Sequence, residues 1–311
     1  MRAAVVRRFG GPEVLEIASI DVPEIRDHQL LVRVEAAAVN RIDLSTRSGA
    51  LAEAGLMRPA PVVGLGWDAA GTVEAAGAAV TRFAVGDRVI GLRDRLSAGG
   101  AQAEFVALDE TALAPAPRSV PAAEASTLPL IGLTADLALR RTGLRAGQTL
   151  LVTGAAGGVG GLALELAALR GVRTVADDKS AAATWTVPRG EPAQVRDLVP
   201  GGVDAVIDAA VLGVEAHEAL RGGGTFVTLV RPFAPPPLRD TRVVVAEVAA
   251  DGARLTELAA LVDAGHLTLG VAATFPLDAV AEAHERLAAG GLRGRLVLTP
   301  GVRAARSVNF L

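Results

Sequence analysis

The stretch richest in chemistry in this 311-residue chain is TLLVTGAAGGVGGLALELAAL, residues 149–169. An apolar run ends at Gly154, Gly157, Gly158 and Gly160 follow, and an apolar helical pattern begins at once. Glycines at such a turn let the backbone approach an anion with no Cβ in the way. The N–H groups of the following helix, at its positive dipole end, then hold a phosphate. Gly154, Gly157, Gly158, Val159 and Gly160 are therefore the expected contacts for the pyrophosphate of a dinucleotide. Asp178, eighteen residues after Gly160, stands where an acid would accept hydrogen bonds from the adenine ribose. It argues for NAD and, by charge, against a 2′-phosphate, whereas Lys179 beside it argues the other way. A glycine pattern can also do no more than pack a helix closely on a sheet. A strand before it, a helix after it and an acid at this distance together favour the dinucleotide.

What the chain lacks narrows the chemistry further. It has no cysteine, which excludes thiolate catalysis, disulfides and a zinc site with cysteine ligands. It has no tyrosine, and Lys179 is its only lysine against thirty arginines. A Tyr or Lys proton donor therefore has almost no place. The net charge is −3 with both signs interspersed, so no nucleic-acid partner is expected. The uncharged stretch 146–164 has the length of a membrane span but contains six glycines, which suits a strand, a turn and a buried helix instead. The apolar run at the N-terminus is too short for a secretory signal. A soluble, cytoplasmic protein is expected.

These residues must be positioned by the elements around them. The first hundred residues read as short β-branched or alternating strands at 3–7, 14–17, 30–38, 70–75, 87–90 and 103–108, separated by Gly, Pro and Asp turns. That spacing predicts a β-barrel or sandwich-like unit, closed by Pro115, Pro117 and Pro121. From about residue 122 helices and strands alternate. A helix over 122–142 is expected to break near Pro129. Strands are expected at 149–153, 173–176, 203–208, 225–230 and 242–248, with helices at 158–170 and 254–264. This alternation predicts a doubly wound parallel sheet. The tail reads as a strand, a helix over 277–289 and a strand over 294–298 that returns to the first unit.

With those elements in place, the chain resembles the zinc-less branch of the medium-chain dehydrogenase/reductases, the quinone oxidoreductase-like proteins. The blocks that carry the resemblance run nearly end to end: AAVVRRFGGPEVLEI, LLVRVEAAAVNRIDLSTRSG, GWDAAGTVEAAG, FAVGDRVIGL, LPLIGLTADLAL, the glycine loop and GLRGRLVL. The resemblance implies an α/β protein with a GroES-like β domain over 1–117 and 268–311. It places a Rossmann domain with a doubly wound parallel sheet over 118–267, and the active site in the cleft between them. It also implies NADPH as cofactor, with NADH the alternative, a small-molecule substrate, no membrane association, and a homodimer formed at the last Rossmann strand. In zinc-dependent relatives a histidine follows the glycine where this chain has Gly66-Trp67-Asp68. Trp67 in that place implies no metal, and hydride transfer to a quinone, enone or enoyl group. The AVNRID block implies Asn40 and Asp43 near the nicotinamide, and GLTA implies Thr134 beside it. Their plainer alternatives are turn and helix-cap chemistry for the first two and a hydroxyl bonded to helix backbone for Thr134. Asp68 reads as structural, and His28, His217, His266 and His284 as surface or packing residues.

Two features depart from the family pattern. Leu51 or a neighbour, and Gln102, stand where aromatic residues are common, and Arg41 replaces a proline. Only residues 179–202 separate Asp178 from the strand at 203, too few for a helix, a strand and another helix at average lengths. Pro188, Pro192 and Pro200 leave room there for one short helix at 193–199, with 184–187 as a vestigial strand. These departures keep two alternatives open: a family member retained as a binding or scaffold protein, and a non-redox tailoring enzyme of the cyclase kind.

Overall fold

A computed structural model describes residues 1–58, 60–94, 99–180 and 182–301. Alternation dictates the first strands. In β3 (Gln29–Val39) Leu30, Val32 and Val34 are buried, while Arg33 and Glu35 between them face solvent. In chain order β1 (Arg2–Val6) and β2 (Glu16–Ser19) precede β3. It is followed by α1 (Arg41–Ser48), α2 (Ala50–Glu53), β4 (Val63–Gly64), β5 (Asp68–Ala76), β6 (Arg88–Leu92), β7 (Phe105–Asp109) and β8 (Leu113–Pro115). Then come α3 (Ala122–Ala125), α4 (Leu128–Thr142), β9 (Thr149–Thr153), α5 (Gly158–Leu169), β10 (Arg173–Ala176) and β11 (Trp185–Thr186). The chain continues through α6 (Val195–Leu198), β12 (Val203–Asp208), α7 (Val214–His217), β13 (Leu220–Thr228) and β14 (Arg242–Val245). It closes with α8 (Gly252–Asp263), β15 (Val271–Pro276), α9 (Val280–Ala289) and β16 (Arg295–Thr299).

These elements form two compact units: Met1–Leu130 with Ala249–Asp263 and Leu269–Leu311, and Ile131–Val248 with Ala264–Thr268. In the first, β15-β16-β3-β5-β6-β8 make one sheet, with β7 also on β3, and β2-β1-β4 make a second. All pairs are antiparallel except β15 with β16. Leu30, Val32, Val89, Val106 and Leu113 fill its core. Helix α8 packs so closely here that a Cβ on Gly252 would lie 2.2 Å from the Leu113 carbonyl oxygen.

In the second unit six strands lie in the order β11-β10-β9-β12-β13-β14, and every pair is parallel. Sequence order reverses between β9 and β12, which is the switch point where such sheets bind ligands. All five residues of β9 are buried, as expected of a central parallel strand. Asp136 on α4, wholly buried, pairs with Arg140 at 2.7 Å and with Arg170 at the end of α5 at 3.0 Å.

Boundaries differ from expectation at a few places. Residues 12–14 form a 3-10 turn, so β2 starts only at Glu16. The break in the helix falls before Pro129, whose fixed φ suits the first turn of α4. Strand β13 begins at Leu220 and runs through Gly222, Gly223 and Gly224, with a register shift against β12 that absorbs them. Among the described residues no helix is long and apolar enough to cross a membrane.

Candidate functional site

In the second unit the apolar side chains of β9 fix where the strand ends, and Gly154 turns the chain there at φ +66°. A side chain at this φ is strained, and a Cβ would lie 3.1 Å from the Ala209 carbonyl carbon. The N–H of Gly157 closes the turn on the Gly154 carbonyl at 2.9 Å, and Gly157 caps α5. The first bond along the helix runs from Gly161 N–H to the Gly157 carbonyl at 2.8 Å. The N–H groups of Gly158, Val159 and Gly160 thus have no acceptor within the helix; Gly157 is exposed, and Gly158 and Val159 are half-buried. Gly160 serves the packing instead. A Cβ there would lie 2.3 Å from the Gly154 carbonyl oxygen, so only glycine lets α5 start this close to the loop.

The loop is gripped from both sides by acids at strand ends. Asp177, buried directly after β10, accepts the Gly154 N–H at 2.9 Å on one carboxylate oxygen and the Ala155 N–H at 3.0 Å on the other. Asp208, the last residue of β12, accepts the Thr153 hydroxyl at 2.6 Å and the N–H groups of Leu212 and Gly213 at 3.0 and 2.8 Å. The Ala210 N–H in turn donates to the Thr153 hydroxyl at 3.1 Å. Val211 follows at φ +62°, a strained conformation for a β-branched residue. The Gly154 and Ala155 amides are therefore filled by this chain's own carboxylate. The three amides of the first turn of α5 keep no acceptor within the helix, the donor set that a phosphate at a helix N-terminus would use. Asp178, predicted as the ribose acid, is half-buried and accepts the N–H of Lys179 at 2.7 Å, while Lys179 is exposed.

The first unit carries a second polar constellation. Asn40 ends β3 and caps α1. Asp43, one turn into that helix and wholly buried, accepts the Asn40 N–H at 2.7 Å and the Gly66 N–H at 3.1 Å. The Asn40 side-chain amide donates to Asp68 at 2.7 Å, and its oxygen accepts Arg295 of β16. Asp68, also wholly buried, accepts the Leu130 N–H at 2.7 Å. Burial raises both carboxyls to about 7, against the lowering pull of their hydrogen bonds and of Arg295. The result fixes the Asn40 amide rigidly. Trp67 is buried between Gly66 and Asp68. Gln102 is wholly buried too, and neither atom of its side-chain amide has a hydrogen-bond partner.

The fold thus brings Asn40, Asp43 and Asp68 into one network, and Gly154 to Gly160 into one loop. Thr134 is buried on α4. His217 and His284 are buried and His28 and His266 exposed, as packing and surface residues would be. Sequence reasoning missed Arg295, Asp177 and Asp208. An arginine inside the apolar run RLVLT was the available signal for the first. The acid ending each apolar strand was the signal for the others. Among the described residues no three His, Cys, Asp or Glu side chains gather as a metal site would require.

Comparison with known proteins agrees with this architecture. Residues 26–118 match the alcohol dehydrogenase GroES-like domain, and residues 171–298 the family described as zinc-binding dehydrogenase. An NADPH-dependent alkenal/one oxidoreductase of Arabidopsis thaliana chloroplasts is 32% identical over 96% of this chain and 80% of its own length. The solved quinone oxidoreductase of Coxiella burnetii superposes with a TM-score of 0.83 at 28% identity, covering 96% of this chain and 99% of that one. A mycobacterial protein complexed with NADPH superposes with a TM-score of 0.81 at 29% identity, over 96% and 100% of the two chains. The chain belongs to the medium-chain dehydrogenase/reductase family, among its quinone oxidoreductase-like members.

Proposed function

We propose that this protein is an NADPH-dependent reductase that delivers hydride to a conjugated carbonyl compound, a quinone, enone or enoyl substrate, without a metal ion. The observation that carries the reading is the loop before α5. Its inner amides are closed by Asp177, and the amides of Gly158, Val159 and Gly160, ahead of the first bond along α5, keep no acceptor within the helix. The relative that uses NADPH and the neighbour solved with it support this cofactor, with NADH the alternative donor.

When bound, the reduced nicotinamide supplies the hydride. The chain's own residues bind and orient. Gly157 to Gly160 seat the pyrophosphate, Asp178 and Lys179 face the ribose side, and Thr134 stands beside the nicotinamide. Asn40 lines the reacting centre, held in one orientation by Asp68 and Arg295, and Asp43 acts through it as a positioning residue. Hydride addition to the conjugated system builds charge on the carbonyl oxygen, which fixed hydrogen-bond donors stabilise better than mobile ones. With no tyrosine and no cysteine in the chain, the proton that completes the reduction comes from solvent, guided by groups such as the Gln102 amide. Trp67 in place of a histidine supports metal-free chemistry.

In this reading the substrate domain is 1–117 with 268–311 and the dinucleotide domain 118–267, and the protein works in the cytoplasm as a homodimer. Among the described residues β14 pairs only with β13, and its outer edge, with half-buried Val243, Val244 and Val245, suits a second copy. A monomer by light scattering at micromolar concentration would contradict the dimer.

The test of activity is to mix the protein with NADPH and offer a simple quinone and a simple enone, following loss of the reduced nicotinamide signal. Turnover of either supports the reading. Saturable binding of NADPH without oxidation by any acceptor favours the non-redox tailoring alternative. Binding of neither NADPH nor NADH would favour the binding or scaffold alternative, which the missing tyrosines and the short 179–202 segment recommend.

A further inference from the structure

The loops that leave β12 and β13 stand in line with the glycine loop. A Cβ on Gly154 would lie 3.1 Å from the Ala209 carbonyl carbon, just past β12, and the Ala210 N–H donates to the Thr153 hydroxyl at 3.1 Å. Further along the β12 loop, a Cβ on Gly213 would lie 3.2 Å from the Phe233 carbonyl oxygen in the loop after β13. The three loops thus touch in sequence across the carboxyl ends of the central strands, the side of a doubly wound sheet on which ligands bind. Asp177 and Asp178 end β10 on the adenosine side, so the nicotinamide half and what it reduces lie toward β12 and β13.

On or beside these two loops Val214, Val230, Phe233 and Leu238 are exposed, Phe233 by 55%. Elsewhere among the described residues, exposed side chains of this kind stand singly along the chain, as at Val85 and Leu169. Apolar side chains gathered rather than scattered mark a binding surface. The backbone that presents them is fixed. Pro232, Pro235, Pro236 and Pro237 each lock φ. Residues 231–233 form a 3-10 turn, with the Phe233 N–H on the Val230 carbonyl at 3.0 Å, and Arg231 is held to Glu247 at 2.6 Å. Val211, at φ +62°, adds strain of the kind that collects at ligand clamps.

We propose that these loops form an apolar wall for the non-reacting part of the substrate. The protein then prefers conjugated carbonyl compounds bearing a hydrophobic chain over short ones, with Val230 and Phe233 as specificity residues. The inference rests on the reductase reading of this chain. The test compares kcat/KM, with NADPH as donor, for two methyl ketone enones that carry a methyl or a hexyl group on the β-carbon and share the same reacting atoms. Turnover of a simple quinone, NADPH titration and light scattering run beside it. The parent should favour the hexyl compound at least about tenfold, short of the roughly thousandfold that full burial of the extra methylenes would give. Phe233→Ser should lower that ratio at least about threefold, whereas Val85→Ser, at an exposed apolar site of the first unit, keeps it. A smaller parent ratio, a smaller change in Phe233→Ser, or an equal fall in Val85→Ser overturns the proposal. So does a kept ratio with weaker NADPH binding or a lower mass in Phe233→Ser, which assigns the loops to the cofactor or to a second copy. Failure to reduce either enone also overturns it, and turnover of the quinone then tells whether the reductase reading stands.

Discussion

Two regions of this molecule use buried carboxylates to hold backbone, and they do so in opposite settings. At the end of β10, buried Asp177 accepts the N–H groups of Gly154 and Ala155, two backbone donors of the loop that follows β9. In the first unit, Asp43 and Asp68 lie in one buried cluster with Arg295, and burial pushes both carboxyls up to about 7. The contrast shows one residue type in two roles. Asp177 fixes the shape of a loop, and in the proposed reading the amides next along the chain meet another anion. The Asp43–Asp68 cluster accepts the backbone N–H groups of Asn40, Gly66 and Leu130, holds the Asn40 side-chain amide through Asp68, and carries the cost of burying two acids together.

The sharpest way to break the first region is Gly160→Val. A Cβ would sit 2.3 Å from the Gly154 carbonyl oxygen, against backbone that cannot step aside. The expected outcome is loss of NADPH binding by more than about a hundredfold, with a stability loss of about 1–3 kcal/mol in urea unfolding. Unaltered binding would mean that α5 does not depend on close approach to the loop. Asp177→Ala removes the acceptor for two amides and should cost about 1–3 kcal/mol for the groups left unpaired. Nucleotide affinity should fall with it, because the loop loses its shape.

The second region is tested by pH. A carboxyl raised from 3.8 to about 7 keeps its proton in the folded state while the unfolded chain has already ionised. Its contribution to stability is therefore full below about pH 4 and is lost as pH rises toward 7. Asp68→Asn keeps the shape and removes the titration. The fall in melting temperature between pH 4 and 7 should be shallower in this variant than in the parent. Equal slopes would mean that Asp68 is ionised throughout. The smallest effect is expected at Thr184→Val, which removes the hydroxyl that accepts the Thr174 N–H at 3.1 Å in the connection between β10 and β11. It should cost about 1 kcal/mol and leave NADPH affinity unchanged, which separates the β10–β11 connection from the seat.

Much of this was legible in the sequence, for a physical reason. Where an apolar strand runs into glycines and an apolar helix, local pattern determines structure, and β9 and α5 fall where periodicity puts them. The shortness of 179–202 was also readable, and the fold answers with a two-residue β11 and the four-residue α6. The strand expected at 225–230 begins earlier, at Leu220, because Leu220 pairs with Val203 and a register shift before Thr225 takes up glycines 222–224, which no local pattern announces. In the site, spacing pointed to Asp178, whereas Asp177 is the acid that turns inward onto the loop. That depends on strand pleat and on the position of a loop more than twenty residues earlier. Arg295 was further out of reach, since its partner Asn40 lies more than 250 residues away along the chain.

The central claim is that the amides at the start of α5 seat the cofactor's pyrophosphate, and Gly157→Asp tests it most directly. Gly157 is exposed, and a Cβ there approaches nothing closer than 3.1 Å, so the variant should fold with a carboxylate facing the seat. Titration with NADPH by nicotinamide fluorescence should give saturable binding in the parent protein and none in Gly157→Asp, with melting temperatures alike. Binding retained in the variant, or absent from the parent, would contradict the account.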